Sequence, residues 1–319
     1  MSTLIRVLVV VVFAGSAVSS YAGSKKNGFD LSDSLIPAKK IKHGGPPRDG
    51  IPSIDQPKFI SAGEASFLKD KDRIIGVYHN GIAKAYPIRI LDWHEIVNDR
   101  FTDEAVLISY CPLCGSGMVF TVQGAGVHFT FGVSGLLYNN DVLLYDRQTG
   151  SLWSQILGKA ISGPLKGVTL PLLPSANTTW RAWQTRYPET LVLSTDTGYR
   201  RNYRHSPYRG YSSSGELYFP VEHKSNEYRR KELVLGVTLN KQHKAYPFME
   251  LKKQGLPAFK DNVAGKRMTV EWSASEKSAR LLDENGTEVP SVVAYWFAWY
   301  AFHPDTDVFH AEEREFRGQ

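Results

Sequence analysis

RIIGVYHNGIAKAYP at residues 73–87 and LVLGVTLNKQHKAYPFMEL at residues 233–251 are two versions of one phrase. Each places two apolar-rich runs on either side of a turn. Asn80-Gly81 in the first is a strong hairpin signal, because both residues accept the positive φ of a type I′ turn. Gly76-Val77 matches Gly236-Val237, and Lys84 to Pro87 matches Lys244 to Pro247, at one constant offset. A second echo follows in the same order. TWRAWQTRYPETLVLS at 179–194 resembles YWFAWYAFHPDTDVFH at 295–310, pairing Ala182-Trp183 with Ala298-Trp299 and Pro188 with Pro304.

Two matches in one order imply an internal duplication rather than convergent phrasing, with a first unit over 57–195 and a shorter, degenerate one over 231–312. The expected fold class is α+β and β-rich: two related units of strand hairpins and meanders with a few short helices. The offset shortens between the two echoes, so the extra residues of the first unit lie in the neighbourhood of 115–178. Residues 23–56, rich in Gly, Pro, Lys and Asp, read as an extended arm before the fold. The basic, tyrosine-rich stretch 196–230 reads as a solvated linker that packs along the fold, and 313–319 as a tail.

The chain opens MSTLIRVLVVVVFAGSAVSSYAGS, with one charge at Arg6, an apolar run from Val7 to Ala14, and small residues around Tyr21. This is the pattern of a signal peptide over 1–22, cut after Ala22, and it predicts a periplasmic or secreted protein. The apolar core is short for a membrane span, and no later segment gives the mature chain a transmembrane helix. The formal charge of +6 is a mild excess that suits solubility, and export argues against a nucleic-acid partner.

Within the first unit lies YCPLCGSGMVF at 110–120, which holds both cysteines of the chain, Cys111 and Cys114. AVLISY reads as a strand running in and GMVFTV as a strand running out, so the motif is a strand-turn-strand knuckle. No helix follows Cys114 to lower a thiol pKa as in thioredoxin-like proteins. Gly115 stands where a c-type haem would need His, and no nucleotide-binding motif is present. Four readings stay open: a zinc-ribbon knuckle, a copper(I) site, a redox disulfide and an inert disulfide. The second unit has RMTVEWSASEKSARLL at the matching place and no cysteine, so the chemistry belongs to the first.

ILDWHEIVND at 90–99 has helical spacing after Pro87 and places His94 and Glu95 just before the cysteine strand. His94 is the best third ligand, and Met118 is a candidate thioether on a strand. The segment 128–167 alternates as a β-meander with turns at Asn139-Asn140 and Gln148 to Gly150, and it adds Ser134, Tyr138, Asp146, Arg147 and Trp153 as possible lining of the site. Asp146-Arg147 is either a tight-turn ion pair or a substrate clamp. Ser134 lies in Gly-Val-Ser-Gly with no helix after it, which does not support a nucleophile elbow.

WHEIVND, SYCPLCGSG, FGVSGLLYNNDVLLYDRQTGSLWSQ, AISGP and W..W....PET.VLS occur in this order, and over about 57–312 the chain resembles domain-of-unknown-function family 3179, a family of exported prokaryotic proteins. The resemblance implies that His94, Glu95, Cys111, Cys114, Ser134, Asp146 and Trp153 stand at motif positions, in one site built from knuckle and meander. It implies no chemistry. The leading expectation is an exported protein that binds a soft metal, copper(I) before zinc, through Cys111, Cys114 and His94, with a small molecule or a metal donor or acceptor protein as partner. The alternatives are a thiol-disulfide or metal-dependent oxidoreductase on the same cysteines, and a non-catalytic binding module with a structural disulfide.

Overall fold

A computed structural model describes residues 24–124 and 127–312, with the side chains of 123–128 left aside. The leader expected over 1–22 and the tail over 313–319 lie outside the described residues. The chain is β-rich, with strands in several sheets and four short α-helices among the described residues.

The first hairpin, Arg73–His79 with Ile82–Pro87, turns at Asn80 and Gly81 with φ of 49° and 78°. Its register sets Ile75 opposite Tyr86 and Gly76 opposite Ala85. Leu233–Leu239 and Gln242–Pro247 repeat it, with Leu235 opposite Tyr246, Gly236 opposite Ala245, and positive φ at Asn240 and Lys241. Each hairpin ends at a proline that opens a helix, Ile88–His94 and Phe248–Gln254. Proline suits the first turn because the amide hydrogen it lacks has no helical acceptor there. The first helix is shorter than its spacing suggests: Glu95 adopts a left-handed φ of 57° and ends it, and Ile96–Phe101 is a strand. In the second unit a glycine, Gly255, takes the same turn at φ 69°.

The second echo is also structural. Ala176–Thr179 pairs antiparallel with the first hairpin, Trp180–Arg186 is a helix, and Leu191–Leu193 returns parallel to Ile82–Pro87. Val292–Tyr295, Trp296–Phe302 and Asp307–Val308 follow the same path on the second hairpin. Both paths rest on one contact. A Cβ at Gly76 would lie 2.3 Å from the Trp183 ring, and one at Gly236 2.3 Å from Trp299, so only glycine lets the indole lie flat on the strand. Each indole then donates to a threonine hydroxyl at 2.9 Å, Trp183 to Thr190 and Trp299 to Thr306. Buried Lys84 pairs with Asp99, and Lys244 with Asp261, while Tyr86 and Tyr246 donate to the same carboxylates.

The two halves share a sheet. A seven-stranded sheet takes Asp307–Val308, the second hairpin and Val292–Tyr295 on one side, and Ser116–Thr121, Glu104–Cys111 and Ile96–Phe101 on the other. The join is one aligned pair, Gly117 opposite Val293. The expected meander forms a separate five-stranded sheet from Phe131–Tyr138, Asp141–Asp146, Leu152–Ser154, Lys159–Ser162 and the short strand Lys42–His43.

That last strand corrects the reading of the arm. Residues 24–56 are extended but belong to the fold, since Phe29, Leu31, Ile36 and Ile41 are buried in one cluster with Leu136, Leu143 and Tyr145. Ile54 bridges to Val97. The 196–230 stretch is irregular and packed, burying Tyr203, Tyr211, Val221 and Tyr228. Among the described residues no helix is long and apolar enough to cross a membrane.

If the glycine–indole contact sets each unit, Gly76→Ala and Gly236→Ala overpack it and each lowers stability by about 1–3 kcal/mol. Urea unfolding of the purified variants checks this, and unchanged midpoints would show that the indoles can swing aside.

Candidate metal centre

Two strands hold the sulfurs. Glu104–Cys111 delivers Cys111 at its end, a turn through Pro112 and Leu113 brings the Cys114 amide back to donate to the Cys111 carbonyl at 3.2 Å, and Ser116–Thr121 leaves. The turn needs glycine at 115. Its φ is +60°, and an added Cβ would lie 2.9 Å from the Tyr295 ring. From the other half of the shared sheet, the Tyr295 amide donates to the Cys114 carbonyl at 2.8 Å. Both thiols are free and fully buried, and the Cys111 thiol donates to the Asn140 carbonyl at 3.5 Å.

The third member is Asp141. Asn139 and Asn140, with φ of 52° and 64°, make the tight turn of the meander hairpin, and Asp141 is the first residue out of it, opposite Tyr138. One sulfur from each cysteine and a carboxylate oxygen of Asp141 all lie within 4.8 Å of one another, which makes this a group able to hold a metal ion. Asp141 Oδ2 accepts from the Ile156 amide at 3.0 Å and from Ser154 Oγ at 3.4 Å. Asp141 Oδ1 is buried and has no hydrogen-bond partner among the described residues. An orphaned carboxyl oxygen beside two thiols is costly unless a proton or a cation answers it.

Burial raises four acids in this region. It pushes the Cys114 thiol well up, reinforced by its hydrogen bond to Cys111, and it raises Asp141 to about 8 against the pull of the Ile156 amide. Glu95 is raised to about 7 and Asp92 to about 6, burial being the main cause in both. Glu95 is buried in its left-handed conformation, with Tyr208 donating to Oε1 at 3.2 Å. Tyr211, 2% exposed, sits in the same apolar cluster as the cysteines, and its hydroxyl has no partner among the described residues. The 196–230 stretch thus roofs the knuckle, and it is fastened there by Asn140, which exchanges hydrogen bonds with the Phe219 backbone.

Most of the other expected residues make their hydrogen bonds or ring contacts with other partners. His94 is buried, but its Nδ1 bonds the Pro52 carbonyl at 2.8 Å and its Nε2 the Tyr203 hydroxyl at 2.7 Å, and it is absent from the group that converges on the cysteines. Asp141 is the residue that stands with the cysteines in that group. Met118 is a core residue of Ser116–Thr121, in one cluster with both cysteines. Ser134 donates to the Leu143 carbonyl and accepts from the Leu136 amide at a bulge of the meander. Tyr138 packs edge-on against Phe302.

Asp146 and Arg147 do not pair with each other. Asp146 accepts from the Thr149 amide and from Trp153 Nε1, closing its own turn, while Arg147 reaches Asp55 at 3.1 Å and Ser53 at 2.7 Å. These residues fix the meander, whose Gln155 joins it to the knuckle by accepting from Ser116 Oγ at 2.8 Å and donating to Ser109 Oγ at 2.9 Å. Asp141, Tyr208 and Tyr211 are the site residues that sequence reasoning missed. The available signal for Asp141 was an acid opening the apolar run DVLLYD directly after a turn.

A family described as "Protein of unknown function (DUF3179)" matches residues 48–306. No curated protein and no solved structure matches the chain.

The raised carboxyls give a pH dependence of known sign. An unfolded glutamate titrates near 4.3 and Glu95 in the fold at about 7, so its stabilising effect is complete below about pH 4 and is lost as pH rises through 7. Buried His94, lowered by desolvation, works in the opposite sense, so the clean measurement is a difference. Relative to the native protein, Glu95→Gln gains stability from about pH 4 to pH 7, by up to about 1.4 kcal/mol per pH unit. Denaturant titrations of metal-free protein at pH 5 and pH 8 test it. A difference that does not change with pH would mean that Glu95 titrates as it does in water.

Proposed function

The chain belongs to the DUF3179 family, whose description names no activity, and on that premise we propose that it binds a metal ion between Cys111, Cys114 and Asp141. The observation that carries this reading is the unanswered Asp141 oxygen, buried in a group that also holds two thiols. Without a cation, burial favours the neutral forms of Cys114 and Asp141. A metal ion replaces the protons and satisfies the lone pairs that burial has stripped of water.

The donor set also bears on which metal. A carboxylate is a harder donor than imidazole, and two thiolates plus a carboxylate carry three negative charges. A divalent ion leaves less residual charge in a buried site than copper(I) does, which favours zinc over copper(I) and reverses the order suggested by a cysteine–histidine set. Zinc commonly takes a fourth ligand, and the Tyr211 hydroxyl, in the cluster of the cysteines and without a partner among the described residues, is the group we propose for it. Thiol-disulfide chemistry has less support, because it needs an accessible thiolate. Cys114 is buried and held protonated, and the two thiols are not bonded to each other.

We infer further that the two units arose by duplication, a reading supported by their matched registers, glycine–indole contacts and lysine–aspartate pairs. An exported location rests on the leader-like residues 1–22, and a metal donor or acceptor protein, or a small molecule, is the partner proposed for it.

Protein stripped with a chelator under reducing conditions and titrated with Zn²⁺ should bind about one equivalent per chain, and Co²⁺ in its place should show thiolate-to-cobalt absorption. Cys111→Ser and Asp141→Asn should each weaken binding at least tenfold, about 1.4 kcal/mol. Folded, stripped protein that takes up neither Zn²⁺ nor Cu⁺, or a Cys111→Ser variant that binds as the native protein does, would refute the site.

A further inference from the structure

The same cleft occurs twice in this molecule, once filled and once open. In the first unit it lies over Gly76 and Trp183, and Tyr78 and Tyr187 stack across it with ring centroids 5.0 Å apart, leaving about 300 Å³. In the second unit Gly236 and Trp299 form the same base, but Thr238 stands at the position of Tyr78 and His303 at that of Tyr187. The cavity there is about 750 Å³, within the range of small-molecule sites.

Its far wall is the other half of the shared sheet, Met118 and Phe120, with Leu170 and Leu172 beside them. Around this apolar lining stand the hydroxyls of Thr169, Thr238 and Ser291, two histidines and two lysines. Lys159 and Lys241 border the cleft, and neither side chain has a partner among the described residues. His243 and His303 lie against each other with ring centroids 4.0 Å apart, His243 Nδ1 bonds the Thr238 hydroxyl at 2.9 Å, and burial pushes His303 down to about 3. No acidic residue lines the cleft.

We infer that this cleft is a binding site for an amphipathic anion, a linear apolar tail that lies along Met118, Phe120 and Leu170 and ends in a carboxylate or phosphate held by Lys159 and Lys241. The tail supplies apolar burial, and the unpaired ammonium groups supply the charge-assisted bonds that fix orientation. None of Cys111, Cys114 and Asp141 lines the cleft, so this site stands or falls independently of the metal reading.

Dansyl-undecanoate is the probe. Titrated into the full chain, it should show saturable fluorescence enhancement at about one molecule per chain, reversed by dodecanoate and by dodecyl phosphate, whose relative potency tells which head group is preferred. Dodecanol should compete at least tenfold less well. Lys159→Ala with Lys241→Ala should weaken the probe at least tenfold while leaving the circular dichroism spectrum and melting midpoint unchanged. Thr238→Tyr with His303→Tyr transfers the first unit's plug to the second and should abolish saturable binding. Absence of saturable binding to the native chain, native-like affinity in the folded plugged variant, or dodecanol competing as well as dodecanoate would each overturn the proposal. If the plugged variant fails to fold, the lysine pair alone decides: undiminished affinity there also overturns it.

Discussion

One backbone hydrogen bond, from the Tyr295 amide to the Cys114 carbonyl, fixes the relation of the two halves of this protein to its chemistry. It is possible only because the chain is bare at two places. At Gly115 a side chain would strike the Tyr295 ring, and at Gly117 a Cβ would lie 2.5 Å from Ile75 Cδ1 of the first hairpin. Those two glycines let the second unit's strand and the first unit's core close on opposite sides of the cysteine turn. The knuckle is therefore clamped from three directions: its own hairpin, the neighbouring half, and the meander through Gln155. A site held this way has little freedom to rearrange around a ligand, which is what preorganisation requires.

Much of this arrangement was legible in the residues. Asn80-Gly81 and Asn139-Asn140 announce their turns because few residues accept positive φ, and the cysteine knuckle reads as strand-turn-strand from the apolar runs that flank it. The recurring Lys-Ala-Tyr-Pro is visible as text and returns as the same register. What could not be read is non-local. Asp141 looks like any acid after a turn, and only the pairing of the meander brings it to the sulfurs. His94 looked like a ligand by proximity in sequence, yet the helix that carries it directs both ring nitrogens elsewhere.

The limits of local reading show again at Glu95 and in the arm. Leu91, Trp93, Ile96 and Val97 continue a helical spacing, so the break falls where no glycine or proline marks it, at a glutamate in a left-handed conformation. The second unit uses Gly255 at this turn, so the first unit places a non-glycine residue in a left-handed conformation that glycine adopts more easily. The arm misleads for the opposite reason. Its apolar residues Phe29, Leu31, Ile36 and Ile41 have no periodicity of their own and become a core only against the meander.

The roof over the knuckle has a consequence for time rather than affinity. Cys111, Cys114 and Asp141 have essentially no exposure, and the segment above them is irregular chain held by a handful of hydrogen bonds, not by a ladder. A solute reaches that group only when the segment lifts, and the frequency of such an opening depends on the segment's local stability. A metal held there as proposed would exchange at the pace of that opening, so its rate of release and its affinity are set by different parts of the chain.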